Sequence, residues 1–497
     1  MFAIVLALWR LEGATTGIEI VRDRVGTIPV TVFRPASAER APVIVIAHGF
    51  AGSQQLMQPF AISLARNGYV AVTFDFPGHG RNPTPLAGGL ADYAVAGQAL
   101  TAALDAVVEH ARSLPGTDGR LALLGHSMAS ETVVRYAIDH PEVSATVGVS
   151  LYSHEVTAER PRNLLVIIGA LEPSMFSDEG RRIAGMAAGG VAEPGVTYGS
   201  IANGTARRFA FAAGVEHIGV LYSRDSINEV ISWMNQVFSR QSEGFVGTRG
   251  RWLALLFLGI VALAHPLSQR LPVVARLPFG DGFTWRELLP VAIAPAVLTP
   301  LILWQLPTHF LPLLLGDYLA CHFGLYGLLT FAGLWLTSRR RTRPYAPIER
   351  VSSDALALAV LAVTAFSVLA IALPLDRYVS AFLPGATRLP LFAAMLVGTI
   401  PYFLADARLT RGLEAPRGAY ALTKILFLLS LAIAIALNPG KLFFLVIIVP
   451  AILAFFVIYG LIAHWAWRRT NHPLPGAIAN AVAFAWAIAV TFPVVRG

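Results

Sequence analysis

The sequence predicts an α/β domain with a mostly parallel sheet, followed by an all-α transmembrane domain of about eight helices. Three observations carry this reading. The first half alternates short runs rich in Val, Ile and Phe with amphipathic stretches, the pattern of strands and helices laid down in turn. The second half is a series of apolar segments, most of them reaching the roughly 17 to 25 residues that span a bilayer. The charge divides near residue 248: residues 1–248 hold 18 Arg and 22 Asp or Glu, a balance of −4, and residues 249–497 hold 20 Lys or Arg and 8 Asp or Glu, a balance of +12.

Composition excludes a wholly soluble protein, because only 14% of the residues are charged where a soluble domain carries roughly 25%. A basic apolar half fits membrane lipids with anionic headgroups and argues against a nucleic-acid partner. Cys321 is the single cysteine, so no internal disulfide is possible and the redox compartment cannot be read from cysteine usage.

Residues 1–16 open with MFAIVLALW, which at about 1.5 Å per residue covers only about half of a 30 Å bilayer core. The stretch lacks the basic n-region and cleavage site of a secretory signal. It reads as a short membrane-contacting N-terminus, or as the end of an anchor that begins before this chain. Residues 17–240 form the α/β domain, with strands at IEIV, IPVTVF, VIVIAHG, YVAVTFD, LALLGHS, ATVGVSLYS, LLVIIGA and RRFAFAAG. Several of these runs are apolar without alternation, as in parallel strands buried on both faces. Helices are expected at 58–67, 91–113 and 227–238.

Residues 241–250 are a polar linker, and 251–497 carry spans at about 252–266, 288–306, 311–336, 355–373, 389–405, 419–437, 442–465 and 477–494. The first is short before Pro266, and the second contains Pro290, Pro295 and Pro300, which kink a spanning helix without having to end it. The loop TSRRRTRPYAPIER between the third and fourth spans holds five Arg and is cytoplasmic by the positive-inside rule. Alternating outward from it, the inside loops total thirteen basic residues and the outside segments four, namely Arg377, Arg388, Lys441 and Arg496. The α/β domain is therefore expected on the extracytoplasmic side of the cell's inner membrane.

The most specific motif is Gly125-His126-Ser127-Met128-Ala129, between the strand LALL and an amphipathic stretch. A nucleophilic serine needs a sharp strand-to-helix turn with small neighbours to lift its hydroxyl out of the sheet. Upstream, VIVIAHGF ends a strand in His48-Gly49-Phe50, and VTFDFPGHG places Asp75, Gly78, His79 and Gly80 in a tight loop after the next. A tetrahedral oxyanion needs two converging backbone N–H donors, and Phe50 and Met128 are the candidates. His48, Gly49, Asp75, Gly125 and His126 are expected to support the site, and His79 to be structural.

These motifs, in this order and with a late histidine, resemble those of the α/β-hydrolase superfamily over roughly residues 17–240. The resemblance implies a central mostly parallel sheet and a triad in the order Ser, acid, His: nucleophile Ser127, acid Glu172 in Gly169-Ala170-Leu171-Glu172, and base His217 in Glu216-His217-Ile218. Two positions depart from the usual pattern, Ala129 where glycine is commoner and Glu172 where aspartate is. Glu155 and Asp178 remain substitutes for the acid. The chemistry requires no cofactor and no metal, and the histidines lack a metal-ligand spacing such as H-E-x-x-H.

Many relatives insert a cap after the strand that follows the elbow helix, but here only about ten residues, His154 to Asn163, separate those strands. The stretch from Pro173 to Thr205, with the membrane domain, is the expected lid. Asp317, Tyr318, Cys321 and His322 interrupt the third span and are candidates for a second site. The expected activity is serine hydrolysis of carboxylic esters, lipid or long-acyl. An acyltransferase using the same acyl-enzyme, or a transporter or sensor with a hydrolase-derived binding module, is the alternative.

Overall fold

A single nine-stranded sheet organises the first half of the chain in the computed structural model, which describes residues 1–36, 39–89, 92–242, 244–280, 282–340, 351–413 and 415–496. The strands are β1 Ile18–Val25, β2 Ile28–Pro35, β3 Ala41–Ala47, β4 Val70–Phe74, β5 Thr117–His126, β6 Val143–Val149, β7 Leu164–Gly169, β8 Thr197–Tyr198 and β9 Arg207–Ala212. Their spatial order is β1-β2-β4-β3-β5-β6-β7-β9-β8. The run from β4 to β9 is parallel, while β1, β2 and β8 are antiparallel to their neighbours. Strand β3 shows why its run is apolar without alternation: Val43 and Val45 pack on one face while Ile44 and Ile46 pack on the other. Edge strand β1, IEIVRDRV, is largely exposed, and its charges discourage pairing with another chain.

Helix α1 spans Phe2–Gly13, and helices α2 Gln58–Arg66, α3 Tyr93–Ser113, α4 Met128–Asp139, α5 Ser174–Ala188 and α6 Arg224–Phe238 flank the sheet. Phe60, Leu64 and Trp233 from α2 and α6 cover one face. Leu104, Val107 and Val133 from α3 and α4 cover the other. The Asp92 carboxylate starts α3 by accepting from the N–H groups of Ala94 and Val95 at 3.1 and 3.0 Å.

The second half is a helical bundle: α7 Arg249–Ser268, α8 Trp285–Trp304, α9 Gly316–Arg340, α10 Ser353–Tyr378, α11 Leu389–Thr410, α12 Ala419–Leu437, the single turn α13 Pro439–Leu442, α14 Leu445–Thr470 and α15 Leu474–Thr491. Among the described residues, eight of these are long and apolar enough to cross a membrane, as the helices of a multi-pass membrane protein are. All three prolines of the second span lie inside the unbroken helix α8, and Pro266 lies inside α7. Helix α1 packs along α7, where Ile4 closes over Gly259 and Arg10 lies 5.3 Å from the Trp252 ring.

The bundle has two distinct ends. At one, loops tie to each other far from the sheet: Val274 N–H bonds to Thr470 O at 3.0 Å and Ser352 N–H to Val274 O at 3.2 Å. Arg408, Arg411, Arg468 and Arg469 belong to this end. Arg339 and Arg340, in the last turn of α9, open the Arg-rich loop of the sequence, whose residues 341–350 lie outside the described residues.

The other end seats the sheet domain. Arg81 pairs with Asp376 at 2.5 Å, and Ala381 N–H donates to Ser53 Oγ at 2.8 Å. The last span was expected to continue to residue 494, but α15 stops at Thr491. Pro493 cannot supply a helical N–H. The next residues bridge to Leu86 and Leu313 instead, with Leu86 N–H on Val494 O at 2.8 Å.

Candidate active site

The turn between β5 and α4 holds Ser127 at φ 54° and ψ −120°, a conformation that costs an L-residue about 1–3 kcal/mol. Neighbouring bonds hold it there. Ser127 N–H donates to Val149 O at 2.9 Å, and Ser127 O accepts from Ser130 N–H at 2.8 Å and Ser130 Oγ–H at 2.6 Å. The turn is tight enough that a Cβ on Gly125 would sit 2.4 Å from Ala129 O, which demands glycine there. Ala129 itself fits, fully buried.

The structure brings Ser127, His217 and Glu172 together. Ser127 Oγ lies 2.9 Å from His217 Nε2, and His217 Nδ1 lies 2.5 Å from Glu172 Oε1. The other Glu172 oxygen accepts from Gly169 N–H at 2.6 Å and Ser150 Oγ–H at 3.0 Å, and the carboxylate is wholly buried. Of the other two acids considered, Glu155 pairs with Arg135 at 2.9 Å and Asp178 is exposed. His217 sits on a turn shaped by Glu216, whose carboxylate accepts from Ile218 and Gly219 N–H at 2.7 and 2.8 Å.

His126 Nε2 reaches the carbonyl of His217 at 3.0 Å, so the residue before the serine also positions the histidine backbone. Burial, with His217 close by, pushes His126 down to about 3. It is therefore a neutral donor. His48 is fully buried, with Nδ1 2.8 Å from Gly49 O and Phe76 N–H donating to its Nε2 at 3.2 Å, and burial lowers its pKa. It ties the loop after β3 to the loop after β4. Asp75 organises the same region by accepting from Gln54 N–H, Gln54 Nε2–H and Arg81 N–H at 2.8, 3.1 and 3.0 Å. His79, bonded through Nδ1 to Pro77 O at 2.9 Å, is held down to about 3, mainly by burial.

The loop carrying Phe50 passes hard against the serine: a Cβ on Gly49 would lie 3.0 Å from Ser127 Cβ. Met128 is the first residue of α4, so its N–H has no partner within the helix. Among the described residues, no three His, Cys, Asp or Glu side chains converge as metal ligands would.

Residues 38–160 match the family model described as serine aminopeptidase, S33. The parallel sheet order and the strand–Ser127–helix turn give the N-terminal domain the α/β-hydrolase fold. No curated protein matches the chain significantly. Among solved structures, it is similar to a hypothetical protein from Pseudomonas aeruginosa, with 12% identity, 44% of this chain and 94% of that one covered, and a TM-score of 0.33. It is also similar to a predicted CIB-like hydrolase from Thermoplasma acidophilum, with 14% identity, 45% and 99% covered, and a TM-score of 0.34.

The α/β domain presents this site to the bundle. The Phe50 ring lies 4.5 Å from that of Phe444, at the start of α14. Arg388, buried before α11, donates to Gly78 O at 2.9 Å and to Ala489 and Phe492 carbonyls at 2.7 and 2.9 Å. Gly78 must be glycine, since a Cβ there would sit 2.4 Å from Val494 O.

The stretch from Pro173 to Thr205 does not form the expected lid against the bundle. Its helix α5 packs on the sheet through Gly180, against Ile168 and Phe209, because its apolar stripe matches that face. Only its start reaches the site, with the Phe176 ring 5.5 Å from His217. The candidate second site in the third span also dissolves. Asp317 caps the start of α9 by accepting from Phe310 and Tyr318 N–H, both at 2.8 Å, while His322 bonds to Ser430 at 3.1 Å and Tyr318 at 3.4 Å.

Sequence reasoning missed Ser150, Phe444 and Arg388. Ser150 had a faint signal as a polar residue ending a buried strand; the other two act through contacts hundreds of positions away.

Proposed function

We propose that this protein is a membrane-embedded serine hydrolase that cleaves lipid or long-acyl carboxylic esters, with its hydrolase domain on the extracytoplasmic face of the inner membrane. The observation that carries the reading is the hydrogen-bonded series Ser127–His217–Glu172 beside the loop of Phe50, whose ring lies 4.5 Å from that of Phe444 at the end of a candidate membrane helix. A site docked on helix ends in this way favours substrates that arrive from the bilayer.

In the reaction His217 Nε2 takes the Ser127 proton as Oγ bonds to the ester carbonyl carbon. The oxyanion that forms is received by the N–H groups of Phe50 and Met128, each worth about 10² to 10³ in rate. Collapse breaks the ester bond, and His217 returns the proton to the leaving alcohol. Water, deprotonated by His217, then attacks the acyl-enzyme and releases the acid. Glu172 keeps Nδ1–H directed away from the serine and stabilises the imidazolium.

A peptide substrate is the second reading, favoured by the aminopeptidase description of the matching family. The test uses detergent-solubilised protein on p-nitrophenyl esters of increasing chain length and on aminoacyl p-nitroanilides, wild type beside Ser127→Ala. Rates that rise with acyl length and vanish in S127A are expected. Faster cleavage of the anilides would replace the lipid reading with the peptide one, and a new conjugate on adding an alcohol would make the enzyme an acyltransferase. Equal rates in both proteins would remove Ser127 from the chemistry.

A further inference from the structure

Away from Ser127, a cleft of about 900 Å³ opens where β1, β2, α1, α2 and the end of α10 meet. Neither the three residues of the hydrogen-bonded series nor the two oxyanion candidates line it. Five of its lining residues are arginines. Arg81 and Arg377 are balanced by Asp376 and Glu12, at 2.5 and 2.8 Å. Arg22 and Arg24 stand on exposed β1, and among the described residues their guanidinium groups meet no acceptor. The fifth, Arg249, is only 6% exposed. It donates to Gln58 Oε1 at 2.6 Å, yet its Nε has no partner. Gln54, 7% exposed, also lines the cleft and leaves its Oε1 without a donor.

Buried polar atoms without partners are expensive, so a cleft that holds both an orphan donor and an orphan acceptor is built for a polar ligand. The lining sets five arginines against Glu12, Asp23 and Asp376, and this excess of positive charge selects an anion, while Gln54 Oε1 asks for a hydroxyl. A phosphate ester bearing free hydroxyls supplies both. Two sources offer that chemistry, a soluble phosphate or a lipid headgroup, and the wall decides between them. Leu373 lines the cleft one turn below Arg377 and is 53% exposed, and Leu369, another turn below, is 49% exposed. Residues four apart share a helix face, so an apolar track runs along α10 directly to the arginines.

The geometry points to a site for an anionic, hydroxyl-bearing phospholipid, its phosphate held by Arg22, Arg24 and Arg249 and one acyl chain lying on Leu369 and Leu373. The site is separate from the catalytic one and stands whether or not the ester reading does.

The test is native mass spectrometry of the full chain released from detergent with added phosphatidylglycerol or phosphatidylcholine. One retained phosphatidylglycerol per chain is expected, with little phosphatidylcholine. The double variant Arg22→Gln/Arg24→Gln, which removes two exposed side chains without protein partners, should weaken retention about tenfold or more. Leu373→Asn should weaken it too, and covalent labelling of Ser127 by a fluorophosphonate, which fills the serine pocket, should leave it unchanged. Equal retention in the double variant overturns the proposal. So does loss on labelling Ser127, which would put the lipid at the serine, and so does displacement by inorganic phosphate at concentrations matching the lipid, which would assign the cleft to a soluble ligand.

Discussion

Glu172 illustrates how much of the site depends on groups that never touch a substrate. Its carboxylate accepts from His217, Gly169 and Ser150, so each oxygen is satisfied while ionised and buried. Glu172→Gln keeps the shape but hands His217 an amide that can also donate, which favours the wrong tautomer. We expect kcat to fall about 10³- to 10⁴-fold with KM little changed, by analogy with the same exchange in other triads. Ser150→Ala removes one donor worth about 1 kcal/mol, so kcat should fall about fivefold. A merely structural Ser150 would leave kcat in place. His79 makes a separate prediction. Burial and the neighbouring His48 hold it down to about 3 against an ordinary 6.5, so below pH 6.5 the unfolded chain binds a proton that the folded chain refuses. Its stability contribution is full above pH 6.5 and is lost as the pH falls toward 3, by up to about 1.4 kcal/mol per pH unit. Apparent unfolding midpoints at pH 7.5 and 5.0 should therefore separate further in wild type than in His79→Gln.

At the scale of elements, the loops after β3 and β4 are clamped from the membrane side. Arg388 carries the clamp by spanning the end of α15 and the Gly78 loop with three donated bonds. Arg388→Ala leaves three buried carbonyls short of a donor and should cost about 2–4 kcal/mol. Arg388→Lys keeps the charge but not the planar fork, and should recover only part of the loss. Thermal unfolding in detergent measures both, and ester hydrolysis should fall with the clamp because Phe50 and His48 belong to the same loop system. These elements also mark where the sequence stops being informative. Strands β3 to β7 and the Ser127 turn were legible because each is encoded locally, by an apolar run ending in small residues. The contact of Ser127 with His217 and Glu172 was legible from chain order once the fold was recognised. Arg388, Phe444 and the bridging residues Val494 and Val495 were not, since their partners lie in the other half of the chain. Helix α5 misled for the same reason: its Gly- and Ala-rich composition fits a lid as well as a sheet-packing helix, and only Ile168 and Phe209 opposite Gly180 decide between them.

For the whole molecule, parity joins the two halves. The chain enters the bundle at Arg249 beside Gln58 of the hydrolase domain and leaves it at Val494 beside Gly78 of the same domain, so the number of crossings must be even. The eight candidate spans among the described residues satisfy this. The same parity places the contacts of the α/β domain at one end of the bundle and the loops and helix ends carrying Arg270, Arg408, Arg411, Arg468 and Arg469 at the other. The positive-inside rule acts on short loops near span ends, and these loops are short. We therefore predict that the α/β domain faces away from the cytoplasm. Cysteine labelling tests this directly, because Cys321 is the only thiol and Cys321→Ser gives a clean background. In intact cells a membrane-impermeant maleimide should label Glu39→Cys, on the exposed surface of the hydrolase domain, and leave Arg270→Cys unmodified until the membrane is permeabilised. The reverse pattern would put thirteen basic residues outside and the hydrolase in the cytoplasm. Labelling of both in intact cells would break the parity argument itself, since no even-span arrangement exposes opposite ends of the bundle to one compartment.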